Sequence, residues 1–119
     1  MARRLTNDRR WRLLLGWLRR SWPPRHPVTA RRARCEDLAG LCEFPEPGRG
    51  HLPRRFRITI ARNRSWPMQA DALLHEWAHA LTWFGADAER EDHGGEFGLA
   101  YAELYREFLR WDFARGAAD

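Results

Sequence analysis

Between Leu73 and Leu81 an apolar run is interrupted at three positions, by His75, Glu76 and His79. Leu73, Leu74, Trp77, Ala78, Ala80 and Leu81 fill the rest, so the stretch suits the interior of a fold. Two imidazoles and a carboxylate are costly to bury there unless something satisfies them. An unpartnered buried polar group costs about 1–3 kcal/mol, and a buried charge costs more. At helical spacing His75 and His79 stand one turn apart on one face, with Glu76 rotated from His75 by about 100°. The segment therefore requires a helix and a layer to bury it, and it points to a metal ion as the satisfying partner.

His75-Glu76-Trp77-Ala78-His79 is an HExxH pattern. Two imidazoles so placed bind one Zn²⁺ at about 2.0–2.1 Å each, and Glu76 lies beside the metal, where it can take a proton from metal-bound water. A catalytic zinc usually has three protein ligands and one open position. The extended HExxHxxGxxH pattern is not met, because Thr82 and Gly85 occupy the required Gly and His positions. The next donors along the chain are Asp87, Asp92, His93 and Glu96. His93 is the best by type, and Gly94-Gly95 after it allow a close turn into a following helix; Glu96, from that helix, is the alternative. His26 and His51 lie in Pro-rich and Gly-rich stretches and read as solvated loop histidines. The expectation is one Zn²⁺ per chain on His75, His79 and His93, with Glu76 as general base.

The flanking chain predicts an α+β domain. Residues 5–22 read as an amphipathic helix with Trp11, Leu14, Leu15, Leu18 and Trp22 on one stripe, packed on the domain, and Trp22-Pro23-Pro24 ends it. Val28 to Arg34 is a candidate strand, with a helix from Thr29 as the alternative, and Leu38 to Phe44 is a second strand. Phe56 to Ile60 alternates large apolar or β-branched residues and is the best strand of the chain. Residues 67–84 form the HExxH helix, with Pro67 in its first turn, Asp71 complementing the dipole near that end, and Gly85 as its stop. Residues 96–113 form a C-terminal helix with Phe97, Ala100, Tyr101, Leu104, Phe108 and Trp111 on one face. The predicted fold is a single domain over 1–119: an N-terminal Arg-rich helix (1–25), a small antiparallel-type sheet of about three strands (26–64) and the metal-binding helices (65–119).

All 21 basic residues are Arg, and they are unevenly placed. Residues 1–64 carry a net charge of +12 and residues 65–119 a net of −7. An Arg-rich half is a candidate footprint for nucleic-acid phosphates, while the absence of Lys also suits a genome that favours Arg codons. Cys35 and Cys42 make no CxxC pair and no disulfide framework. No apolar stretch approaches the roughly 18–20 residues that cross a bilayer, and Leu13 to Leu18 is too short and too closely flanked by Arg for a signal-peptide core. These features predict a soluble, cytoplasmic protein.

His75-Glu76-Trp77-Ala78-His79-Ala80-Leu81 followed by Asp92-His93-Gly94-Gly95-Glu96-Phe97 resembles the SprT/Spartan-type metalloprotease domain. The resemblance covers about residues 26–113 and is specific in its second half. It implies a zincin-like fold, zinc on His75, His79 and His93, Glu76 as the base, and Phe97 as a packing aromatic. It also implies a small sheet with a Gly in its middle strand, for which Leu38-Ala39-Gly40-Leu41 is the candidate. The CxxC pairs of the zinc ribbon that many members carry after the protease core do not occur in these 119 residues.

Two functions are then expected. The first is a zinc metallopeptidase acting on protein or peptide substrates, in which the strand Phe56–Ile60 lies beside the metal helix and pairs with extended substrate, and Tyr101, Tyr105 or an Arg stabilises the oxyanion. The second is a non-catalytic module, stapled by zinc, whose Arg-rich half contacts nucleic acid or a protein partner. An intact Glu76 beside two His favours the first, because a structural zinc has no use for it.

Overall fold

The computed structural model describes residues 5–43, 55–83 and 94–118, with side chains described to residue 116. Helix α1 (Asn7–Ser21) starts at a side-chain cap, the Thr6 hydroxyl accepting the Arg9 N–H at 3.2 Å. Asp8 in its first turn and Arg19 and Arg20 in its last complement the helix dipole. Four of the five residues of the expected stripe are buried, Leu14 and Leu18 fully and Trp11 and Leu15 nearly so, while Trp22, past the helix end, is half-buried. Trp17, outside that stripe, is buried as well and stacks on Trp111 at 5.2 Å.

Three strands follow: β1 (Val28–Ala33), β2 (Gly40–Glu43) and β3 (Phe56–Ala61). β1 is a strand, not a helix from Thr29; Val28 points inward while Thr29 and Arg31 face solvent, the alternation of a pleated element. The sheet order is β1-β3-β2. β3 runs parallel to β1, with Val28 opposite Phe56, and antiparallel to β2, with Gly40 opposite Ile60. The sheet is thus mixed and not of the antiparallel type expected. The connection from β1 carries the chain past the place of its neighbour to the far edge, and β3 then enters between the two strands. Gly40 accordingly opens an edge strand, and the middle strand is the one containing Phe56, Ile58 and Ile60, all fully buried.

Helix α2 (Trp66–Leu81) lies across β2 and β3, with Pro67 in its first turn as expected. It starts one residue earlier than predicted and stops at Leu81, where both the amide and the hydroxyl of Thr82 donate to the Ala78 carbonyl, at 3.1 and 2.8 Å. Gly85, the predicted stop, lies outside the described residues. The first turn holds no acid, so Asp71 is too far along the helix for the dipole role expected of it. Trp77 is fully buried, and its indole N–H donates to the Trp22 carbonyl at 2.8 Å, tying α2 to the end of α1. Removing so large a buried side chain would cost about 3–5 kcal/mol. Buried Gln69 donates to the carbonyls of Arg62 and Arg64 at 3.2 and 2.8 Å and accepts from Arg32 at 3.3 Å, which fixes the turn between β3 and α2.

Helix α3 (Gly95–Ala118) packs on α2 through buried Leu104 and Phe108. It runs five residues beyond the predicted end at 113. Among the described residues no helix is long and apolar enough to cross a membrane.

Candidate metal centre

His75, Glu76 and His79 occupy the C-terminal half of α2, which packs against both the sheet and α3. Their candidate donor atoms all lie within 4.8 Å of one another. The two imidazoles meet edge to face with ring centres 5.0 Å apart. Glu76 and His79 are buried, at 7% and 8% exposure, and His75 is half-buried. Two imidazoles and a carboxylate, mostly withdrawn from water on a helix otherwise lined with Leu, Trp and Ala, form a donor set that fits a borderline-soft divalent cation such as Zn²⁺. Among the described residues this is the cluster of three whose chemistry suits a metal ion.

Each side of the site is set by a different element. On the sheet side Glu76 packs against Gly40 of β2: a Cβ built on Gly40 would lie 3.2 Å from Glu76 Cγ, 2.9 Å from Ile60 Cδ1 and 3.5 Å from Ala72 Cβ. Only a residue without a side chain lets the edge strand approach the helix this closely. On the other side, the first two turns of α3 supply aromatic walls. Phe97 stacks on His79 at 4.3 Å and meets His75 at 5.0 Å, which puts the expected packing aromatic against both imidazoles. Tyr101 meets His75 edge to face at 5.4 Å.

Tyr101 donates its hydroxyl hydrogen bond to Asp71, one helical turn before His75. Burial, and then that bond to the carboxylate, raise the phenol above its ordinary value of 10.0, so it remains a donor throughout the neutral range. The pairing was missed from the sequence, although the spacing of four between Asp71 and His75 put both on one face.

His93, the expected third ligand, lies outside the described residues. Glu96, the alternative, stands exposed in the first turn of α3 and is not part of the cluster. Phe56–Ile60 does not have the place expected of it. It lies near α2, but as the central strand it is hydrogen-bonded on both edges, and the strand next to Glu76 whose outer edge is unpaired among the described residues is β2. His26 lies against Phe56 and Trp83 at 6.0 and 5.2 Å, half-buried, so it is a packed and not a solvated histidine. His51 lies outside the described residues. The chain matches no family model, no curated protein and no solved structure.

Proposed function

We propose that this chain is a zinc-dependent metallopeptidase of zincin-like fold. The observation that carries the reading is Glu76: a buried carboxylate within 4.8 Å of the candidate donor atoms of two imidazoles of one helix and in contact with Gly40, near enough to a metal on those imidazoles to serve as its base. His75 and His79 would hold the ion, with His93 as third ligand. When bound, zinc would supply Lewis acidity to water and to the scissile carbonyl. Glu76 takes the proton of the attacking water and gives it to the leaving amine. Burial against Gly40 holds its carboxylate in one place and excludes bulk water from one side. Tyr101, a permanent donor touching His75, is the residue best placed to support negative charge on the substrate, on release from Asp71. The outer edge of β2, unpaired among the described residues, is where an extended substrate backbone would add as a further strand. Resemblance to the SprT/Spartan-type domain supports the same reading. The test is metal analysis of the purified protein together with cleavage of an unfolded protein by wild type and Glu76→Gln. Zinc in both with cleavage only by wild type supports it; a wild type that holds no zinc after supplementation sinks it.

A second reading is favoured by the outer face of the sheet. Arg31 and Arg57 project from the side opposite the helices, with Arg55 bonded to Thr29 and Arg31 to Thr59, so an Arg-Thr surface lies open to solvent. Such a face suits phosphate contact in a non-catalytic, zinc-stapled module. Retardation of DNA that falls steeply with salt and is lost in Arg31→Ala/Arg57→Ala would favour it, and absence of any retardation at low salt would exclude it.

A further inference from the structure

Beyond the metal site, the start of α2 and the neighbouring face of α3 share an exposed, largely apolar surface. A groove of about 780 Å³ runs there, lined by Met68, Asp71, Tyr101, Tyr105, Arg106 and Leu109 among others. Met68 is 52% exposed and Leu109 51%, an apolar surface that a monomer gains nothing by leaving in water. The groove is continuous with the metal site through Tyr101, whose ring lines the groove, meets His75 at 5.4 Å, and stacks on Tyr105 at 6.2 Å. Asp71, also in its wall, sits one turn before His75. From Tyr101 to Leu109 the helix spans roughly 12 Å, the reach of about four extended residues.

Charge narrows the occupant. Asp71 accepts from Tyr101 within the wall. Arg106 lies 3.7 Å from Glu107, but that carboxylate oxygen takes a closer bond from Arg110, at 3.1 Å. The groove wall thus carries two charges, the Asp71 carboxylate held by Tyr101 and the Arg106 guanidinium, and Arg106 is the cation an incoming carboxylate would meet.

We propose that this groove is a substrate subsite of the metal centre, taking a bulky apolar side chain of an extended polypeptide with an acidic residue beside it. The inference rests on the peptidase reading for the meaning of the metal, and it adds a specificity: cleavage falls near aromatic or large aliphatic residues flanked by Asp or Glu, as in hydrophobic stretches that unfolded proteins expose. Met68 and Leu109 flank the apolar side chain, Tyr101 and Tyr105 give it a flat wall leading to His75, and Arg106 meets the carboxylate.

Met68 gives a readout that needs no hydrolysis. The sequence has two methionines, so methyl-¹³C-methionine labelling yields two methyl signals, and Met68→Leu identifies the one in the groove. The probe is a short, unstructured Ser/Gly-rich peptide with one Phe next to one Glu, added to zinc-supplemented Glu76→Gln protein. The expected result is a saturable shift of the Met68 methyl, about tenfold weaker for the Phe-to-Ser peptide and for Leu109→Asp. A few-fold weakening is expected for the Glu-to-Gln peptide and for Arg106→Gln, and none for Phe113→Asp, one turn beyond the groove. A Met68 methyl unmoved by the peptide, or moved equally by the Phe-to-Ser version, overturns the subsite. A shift that grows with protein concentration in the absence of peptide assigns the groove to a second copy and also overturns it. A peptide-dependent shift with no cleavage by wild type would keep the subsite as a peptide site and remove the peptidase reading, so the two fail separately.

Discussion

Gly40 and Glu76 touch where the edge strand crosses α2, and a side chain between them fits only if its neighbours give way: a Cβ at position 40 would lie 3.2 Å from Glu76 Cγ. The tighter clash, 2.9 Å, is with the tip of Ile60, which can move aside. Gly40→Ala is therefore expected to fold, with a modest loss of stability, and to displace the Glu76 carboxylate. A displaced base costs hydrolysis about tenfold to a hundredfold, with zinc content unchanged. Full activity in Gly40→Ala, measured on the zinc-loaded enzyme, would show that the contact does not position Glu76.

Glu76→Gln keeps the shape of the side chain and removes its capacity to accept a proton. Its turnover should fall by a factor of about 10² to 10⁴. Zinc measured by atomic spectroscopy should stay at one per chain. Loss of zinc from this variant would make Glu76 a ligand instead of a base.

Metal loss should appear as lost stability, because an ion that binds the folded chain stabilises it by mass action. A chelator is expected to lower the melting temperature of wild type and to leave that of His79→Ala unchanged. His93→Ala should weaken zinc binding markedly and Glu96→Ala should not. The reverse ranking, read by competition with a chromogenic chelator, would transfer the third-ligand role to Glu96.

Tyr101 gives a prediction in pH. In metal-free Tyr105→Phe protein, labelled at the tyrosine ring carbon bearing oxygen, ionisation should begin only well above the ordinary value of 10.0, and Asp71→Asn should bring it down. The sign follows from the raised value in the folded state. The unfolded chain loses this proton first, so the contribution to stability is intact below about pH 10 and is lost as the pH rises beyond it. Ionisation of Tyr101 at its ordinary value would mean that neither its burial nor the bond to Asp71 holds in solution.

What was legible in the sequence was what local spacing controls. The period of Trp11, Leu14, Leu15 and Leu18 placed α1 and its buried face, and the alternation at Phe56–Ile60 placed the best strand. Which strand lies in the middle was not legible, because it depends on the path of the connections and not on any strand's own residues. For the same reason Phe56–Ile60, expected beside the metal helix with an edge free to pair, is the central strand, and the edges among the described residues belong to β1 and β2. In the site, His75, Glu76 and His79 came together because one helix carries all three. Asp71 was read as a dipole partner, since its actual partner, Tyr101, is thirty residues away in sequence and reaches it only after α3 docks.

The hydrogen bond from the Trp77 indole to the Trp22 carbonyl bears on more than the packing of α1. Trp77 is two positions from His75, about 200° around the helix, so it grips α2 from behind the metal-facing side. A cylinder held at its back cannot roll. An imidazole nitrogen stands several ångströms from the helix axis, so a roll of only about 10° would carry it sideways by about 1 Å, enough to spoil a bond to zinc of about 2 Å. The N-terminal helix thus serves as a torsional brake on α2, and its removal would be felt at His75 and His79.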